Sequence, residues 1–375
     1  YHWKGETGMP LVSLCMIVRN EEAVLERCLD SVAELVDEII LVDTGSTDDT
    51  KKIASKFSAK IYDFPWRDDF SAARNYAVAQ AVGDYWFWLD ADDVVEGENQ
   101  EKLRRILAHP DADVVFLPYQ LSFDEDGKPQ MISCRERIFR RSVKFQWEGA
   151  VHEAIVPRGK VRYGDAAISH RKIGAGSPDR NLHIYQQKLM CGENFSPREQ
   201  YYYARELYDH RAYRAALPVL EQFLRDGKGW APDCMGACLL CGNCYRKLKQ
   251  PAQALKSLLR ALEYGAPTPE LCCELGAVFL DQEQYPTAIF WYQLAMEVGE
   301  DSREGFRVQA CCDYIPAMQL CVCYDRMGDT FSAAAYNELA GSVRPKDAAV
   351  AFNRRYFAEK GIQFHDAENH KRKEL

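Results

Sequence analysis

A five-position pattern recurs four times in the second half of this chain, and its period belongs to helices. The pattern is a small residue, an aromatic or leucine three places on, alanine at twelve, a bulky residue at sixteen and a small or apolar one at nineteen. It reads Ala204, Leu207, Ala216, Leu220 and Phe223, then Gly242, Tyr245, Ala254, Leu258 and Ala261. The third copy is Gly276, Phe279, Ala288, Tyr292 and Ala295, and the fourth is Cys321, Tyr324, Ala333, Asn337 and Ala340. Successive copies begin 38, 34 and 45 residues apart, so the third interval carries an insertion around Glu300–Gln309. Paired helices of this kind bury their apolar faces only by stacking on the next pair, which predicts an all-α solenoid over residues 198–345. Residues 346–375 read as a closing helix and a fraying tail, with basic and polar His370–Leu375 at its end. A solenoid offers a concave face suited to a peptide or protein segment; the same surface would also serve to brace the first half or to pair two copies.

The first half has another rhythm. Strand candidates at Leu11–Val18, Glu38–Asp43, Ala59–Asp63, Asp84–Asp90 and Val114–Gln120 alternate with helical stretches at Glu21–Val36, Thr47–Phe57 and Phe70–Val82. Asp124–Lys128 reads as a hairpin turn. Alternation of this kind predicts a Rossmann-like, mostly parallel α/β sheet over residues 9–190. Residues 1–8, polar and aromatic, read as an expression remnant or a native extension ahead of Met9.

Composition removes several classes. With 47 Lys+Arg against 56 Asp+Glu the net charge is −9, which argues against a nucleic-acid binder. No run of ~18 apolar residues predicts a membrane-spanning helix. The 14 cysteines, without a secretion signal, are expected to be reduced thiols in a cytoplasmic protein. Cys234, Cys238 and Cys241 do match the C-x3-C-x2-C spacing of radical iron–sulfur enzymes. The stretch Cys234–Lys247 nevertheless reads as helix, which puts those thiols and Tyr245 on one packing face instead of around a metal.

Ligands of open α/β sheets bind beyond the carboxyl ends of the strands. Asp43 ends an apolar strand and opens Asp43-Thr44-Gly45-Ser46-Thr47-Asp48-Asp49, where small residues allow close approach and Thr47 or Asp48 can cap the next helix. A carboxylate there suits a ribose or base edge. Asp90-Ala91-Asp92-Asp93 follows the most hydrophobic strand. Crowding acids at one strand end is costly unless a divalent cation neutralises them, and oxygen ligands with diphosphate suit Mg²⁺ or Mn²⁺.

Three ordered motifs, Leu14–Glu22 (LCMIVRNEE), Val42–Thr50 (VDTGSTDDT) and Asp90-Ala91-Asp92, resemble the family 2 glycosyltransferases, nucleotide-sugar enzymes of the GT-A fold. The Asp69–Asn75 block (DFSAARN) after Trp66, with Gly149–Glu153 (GAVHE), is similar to the branch holding the sublancin-type peptide S-glycosyltransferases, and to the lipopolysaccharide-core glucosyltransferases. The repeats resemble tetratricopeptide repeats, which that peptide-modifying branch also carries in its helical C-terminal domain.

The resemblance implies an inverting, metal-dependent transfer of a hexose from a UDP-sugar. It implies that Ile17, Arg19, Glu21 and Asp43 surround the nucleoside, and that Asp90 and Asp92 form the Asp-x-Asp with Asp92 the direct metal ligand. Arg74 is expected near the donor diphosphate, against the plain alternative of a surface arginine. His170 completes the metal shell or holds the leaving diphosphate. The family's usual Glu-Asp base element is absent, so Glu153 is the first choice of base, oriented or replaced by His152, with Glu148 in reserve. The plain alternative has Glu153 pairing with Arg137 or Arg140. A peptide or protein side chain (Ser, Thr or Cys) is the expected acceptor, a surface glycan or lipid-linked sugar the alternative. A repeat-based assembly protein with a decayed sugar-nucleotide domain is the reading from another class, opposed by the retained acids.

Overall fold

The computed structural model describes residues 9–125, 127–174, 178–298 and 306–362. The chain divides between Glu199 and Gln200 into two compact units. The extension at 1–8, the tail from 363 and most of the insertion near residue 300 lie outside the described residues, as does Asp126 in the hairpin turn.

In the first unit β1 (Val12–Val18), β2 (Glu38–Asp43), β3 (Lys60–Asp63) and β4 (Tyr85–Trp88) pair in parallel in the order β3-β2-β1-β4. Helices α1 (Leu25–Val32), α2 (Thr50–Lys56) and α3 (Phe70–Ala79) connect them. Short β5 (Asp93–Val94) leads to α4 (Glu98–Ala108), then to a long antiparallel pair, β6 (Val114–Phe123) and β7 (Pro129–Arg140). Asp124 closes that hairpin by accepting from the Lys128 amide at 2.8 Å. β8 (Trp147–Glu148) and β9 (Ala154–Ile155) form a separate small hairpin, and β10 (Val161–Tyr163), β11 (Ile168–His170) and α5 (Arg180–Met190) complete the unit. The main sheet runs β3-β2-β1-β4-β7-β6-β11-β5, with β10 also parallel to β6, so it is mostly parallel with β7 and β5 reversed.

Period-two alternation decides the two cores. Leu14, Met16, Leu41 and Phe87 pack on one face with α1 and α4, while Cys15, Ile40, Val42, Trp86 and Trp88 pack on the other with Ala77 of α3 and Trp147. A sheet covered on both faces is the arrangement that parallel strands require. Two helices start later than the sequence suggested. Asn20 sits at φ 55°, and the amides of Glu21 and Glu22 are taken by Thr50 and Asp48, so α1 begins at Leu25. The Thr47 amide goes to Asn20 Oδ1, which delays α2 to Thr50.

The second unit is a stack of antiparallel helix pairs: α6 (Pro197–Asp209, entering from the first unit) with α7 (Tyr213–Asp226), α8 (Ala231–Lys247) with α9 (Pro251–Arg260), α10 (Pro269–Asp281) with α11 (Tyr285–Glu297), and α12 (Tyr314–Arg326) with α13 (Thr330–Val343). Then α14 (Ala348–Glu359) closes it. The repeat signature marks where paired helices touch. A Cβ on Gly242 would lie 2.5 Å from Leu258, and one on Gly276 2.8 Å from Tyr292. Cys234, Cys238, Cys241 and Cys244 are all buried along α8, and burial pushes the Cys238 and Cys244 thiols up to about 12. They are packing residues, and the iron–sulfur spacing is incidental.

Candidate functional site

Two loops beyond β1 and β2 are knitted into one wall. Asn20 donates its amide to Ser46 Oγ at 3.0 Å and accepts from Thr47 N at 2.8 Å; Glu22 accepts from Asp49 N at 3.0 Å. Thr44 gives both its amide and its hydroxyl to the Val18 carbonyl. At the foot of this wall Asp43 Oδ1 accepts from the amides of Gly45 and Ser46, each at 2.9 Å. Burial opposes ionisation of Asp43, but those bonds and the Lys51 ammonium lower its pKa. Its other oxygen, Oδ2, is buried and without a partner. A buried charged acceptor left unsatisfied is expensive, so this oxygen is suited to a hydroxyl or N–H brought by a ligand.

The acids after β4 occupy the neighbouring position. Asp90 Oδ1 accepts from Arg74 Nη2 at 2.7 Å, and the same guanidinium gives Nε to Glu153 Oε1 at 2.5 Å. Arg74 is only 8% exposed and lies 4.9 Å from the ring centres of both Trp88 and Trp147. Burial works against the Asp90 charge, but Arg74 and then Arg137 outweigh it and lower the pKa. The loop that carries Glu153 is pinned to α3: Ser71 donates to the Gly149 carbonyl, Phe70 N to Ala150 O at 2.9 Å, and Asn75 holds both backbone groups of Trp147. The two motif blocks, Asp69–Asn75 and Gly149–Glu153, are therefore one structural device.

Antiparallel pairing of β11 with β5 sets His170 opposite Asp93. His170 Nδ1 lies 3.3 Å from Asp92 Oδ1 and 3.5 Å from Asp93 Oδ1. Asp93 is fully buried; its Oδ2 accepts from Arg137 Nη1 at 2.9 Å and from Asp90 N at 3.0 Å, and its Oδ1 from Tyr119 Oη at 2.8 Å. Burial lowers the basicity of His170, yet Asp92 and Asp93 outweigh it and push its pKa up to about 10.

The structure thus brings Arg74, Asp90 and Glu153 into one chain of contacts, and Asp92 with His170 into another. Glu21 stands electrostatically close to both acids: its pKa is pushed up to about 7 by burial first, then by Asp92, Asp90 and Asp48. Ile17 and Arg74 line one narrow crevice with Trp88 and Trp147, while Arg19 is exposed at the end of β1. His152 adopts φ 51°, with its ring 6.5 Å from and nearly parallel to that of Tyr185. Glu148 is exposed on β8.

The two plain alternatives take another form. Arg74 is not a surface arginine, and the arginine that Glu153 pairs with is Arg74, whereas Arg137 serves Asp93 and Arg140 serves Asp113. Sequence reasoning missed Asp93, Arg137 and Tyr119 as members of the site. Asp93 had a signal in its place within the acidic run; the other two had none, since they come from strands 25 residues or more further along the chain.

Among the described residues Asp92, Asp93 and His170 are the group of acids, cysteines and histidines close enough to hold a metal ion. A mixed carboxylate and imidazole set accepts Mn²⁺ or Mg²⁺ when substrate oxygens complete the shell. The Glu21 pKa is raised by burial first and then by Asp92 and Asp90, and a bound cation would relieve the part that comes from those acids. The residues present fit a divalent cation.

A GT-A sheet with acids at its carboxyl edge, followed by stacked helix pairs, defines the class: a glycosyltransferase joined to tetratricopeptide-like repeats. The model of glycosyl transferase family 2 matches residues 13–158. Over 337 residues the chain is 30% identical to a TPR repeat-containing protein of Synechococcus elongatus, which covers 87% of this chain and 76% of that protein. It is 29% identical over 225 residues to the glycosyltransferase SunS of Bacillus phage SPbeta, covering 54% of this chain and 50% of SunS, so it spans about half the length of that relative. A solved glucosyl-3-phosphoglycerate synthase from Mycobacterium tuberculosis is 19% identical at a TM-score of 0.34, over 50% of this chain and 81% of that one, a likeness too slight to bear weight. The chain carries a glycosyl transferase family 2 domain over residues 13–158 and is a glycosyltransferase.

Proposed function

We propose that the chain is an inverting, metal-dependent hexosyltransferase that uses a UDP-sugar and modifies a peptide or protein side chain. The observation that carries this reading is the placement of Asp43, with its unpartnered buried oxygen, on the same sheet edge as the Asp92–His170 pair. Asp43 Oδ2 accepts from the ribose or uracil of the donor, with Ile17, Arg19 and Glu21 around the nucleoside. Asp92 and His170 would hold Mn²⁺ or Mg²⁺, which supplies positive charge to the diphosphate as it leaves. Arg74 keeps Asp90 and Glu153 at fixed separation. Glu153 takes the proton of the acceptor hydroxyl or thiol as that atom bonds to the anomeric carbon and the bond to UDP breaks. His152 orients this base. The stacked helix pairs supply the acceptor-binding surface, with pairing of two copies as their other use. Among the described residues no helix is long and apolar enough to cross a membrane, which favours a polypeptide over a lipid-linked acceptor.

Calorimetric titration of UDP and a panel of UDP-sugars, with Mn²⁺, Mg²⁺ or EDTA, tests the donor half. Metal-dependent binding that prefers one sugar and disappears in Asp92→Ala is expected. No binding of any UDP-sugar under any metal condition would end the proposal.

A further inference from the structure

We infer that Tyr119 is a positioning residue for the cation site, holding His170 with Nδ1 turned to the protein as a hydrogen-bond donor so that Nε2 is the nitrogen left for a ligand. The inference rests on the metal part of the proposed function.

The argument starts from one hydroxyl hydrogen. Tyr119 Oη donates it to Asp93 Oδ1 at 2.8 Å. The same oxygen lies 3.0 Å from His170 Nδ1, and with its own hydrogen spent it can only accept there. Asp92 Oδ1 at 3.3 Å and Asp93 Oδ1 at 3.5 Å also face Nδ1, so three oxygens converge on it and the hydrogen belongs on that nitrogen. Among the described residues the polar contacts of His170's ring are made through Nδ1. A ligating histidine oriented through its second nitrogen by a hydrogen-bond partner is the general pattern of metal sites.

Tyr119 is itself held. Arg137 lies between two aromatic rings, 3.8 Å from the centre of Trp88 and 4.3 Å from that of Tyr119, and is fully buried. Its Nη1 bonds Asp93 Oδ2 at 2.9 Å and approaches the Trp88 carbonyl at 3.3 Å. Backbone register adds to this, since Ile168 pairs with Tyr119 and His170 with Asp93. With both oxygens of Asp93 engaged inside the protein, its part is to anchor Tyr119 and Arg137; Asp92 and His170, 20% and 24% exposed at their side chains, face the ligand.

Mn²⁺ binding to the full chain in saturating UDP, followed by the electron paramagnetic resonance of the free ion against a blank of UDP and Mn²⁺ alone, tests the inference in wild type, Tyr119→Phe, His170→Ala and the double variant. Phenylalanine keeps the ring against Arg137 and leaves Asp93 its arginine, and uridine titration with a thermal melt reports whether each variant stays folded. Tyr119→Phe is expected to weaken Mn²⁺ roughly 10- to 100-fold, the usual effect of losing such a partner, with uridine affinity unchanged. In the His170→Ala background the same change is expected to have no further effect, because Tyr119 acts through that imidazole. Wild-type affinity in Tyr119→Phe, or losses that multiply in the double variant, would overturn the inference and leave the metal reading standing. Failure of the wild type to bind Mn²⁺ would overturn both, while UDP titration would still report the donor site separately.

Discussion

Arg74 Nε donates to Glu153 Oε1 at 2.5 Å while Nη2 of the same side chain holds Asp90 at 2.7 Å. One guanidinium thus joins the proposed base to the first acid of the Asp-x-Asp, between two tryptophans. Glu153→Gln keeps the size of the side chain and removes its capacity to take a proton. Transfer to a hydroxyl acceptor is expected to fall by roughly 10²–10⁴-fold with UDP affinity unchanged. A thiol acceptor, which ionises near neutral pH, is expected to lose far less. Single-turnover rates with matched Ser and Cys peptides check this, and equal losses for both would remove Glu153 from the role of base.

Removing the guanidinium is a different experiment. Arg74→Ala leaves two carboxylates without their common partner; breaking a fully buried pair costs about 3–5 kcal/mol, and the Asp90 side chain, 34% exposed, brings the cost here below that. A clear fall in the urea midpoint is expected. A variant as stable as wild type would show that solvent already satisfies Asp90 and Glu153.

Asp43 makes a prediction about the donor. Asp43→Asn retains an acceptor at one position but replaces the charge, and loss of a hydrogen bond to a charged group is worth about 1.5–3 kcal/mol. UDP and uridine should weaken by the same factor, because the contact is to the nucleoside. Calorimetry of both ligands decides it: a loss seen with UDP alone would place Asp43 at the diphosphate.

At the opposite edge of the sheet Glu38 ties several elements together. It accepts from Ser13 Oγ at 2.5 Å, from Val82 N at 2.8 Å and from Lys60 Nζ at 2.8 Å. Burial opposes its charge, but Lys60, Ser13 and Val82 outweigh it and lower the pKa below the ordinary 4.5. A carboxyl with a depressed folded-state pKa contributes stability that is present above its unfolded value and is lost as pH falls through the folded one. Stability is therefore expected to drop on acidification below pH 4.5, and Glu38→Gln to flatten that part of the curve. Urea midpoints between pH 3 and 6 measure it; parallel curves for the two proteins would contradict the assignment.

The two-part architecture was legible because each half writes its period into the chain. Strand alternation put Asp43 and Asp90 at strand ends, and the spacing of Gly242 and Gly276 from Leu258 and Tyr292 marked helix contacts. The Cys234–Cys244 cluster was also readable, since a helix cannot converge three thiols on one ion. What stayed hidden depends on strands that meet only after folding. Arg137 lies in a strand reading Cys134-Arg135-Glu136-Arg137-Ile138, where nothing local separates the fully buried Arg137 from the half-buried Arg135. Arg137 is the residue passed over where the β6–β7 register shifts between Val115 and Phe116, and it is buried against Asp93. The early starts assigned to α1 and α2 failed for a similar reason: Asn20 and Thr47 bond each other across two loops.

The repeat signature makes the sharpest stability prediction. Gly242 lies in the interior of α8, where alanine would ordinarily be favoured by about 1 kcal/mol on helix propensity alone. A Cβ there would nevertheless meet Leu258 Cγ at 2.5 Å, and Leu258 is itself fully buried. Overpacking a tight contact typically costs about 1–3 kcal/mol, so Gly242→Ala is expected to be net destabilising despite its better propensity. Leu258→Ala creates a cavity and destabilises by about 2–5 kcal/mol on its own. Combined, the added methyl enters the space the leucine vacates, and the double variant should be more stable than the sum of the two losses allows. Urea unfolding of the four proteins gives the coupling directly. Strict additivity would mean that α8 and α9 do not touch at this pair, and the role assigned to the glycine would fall.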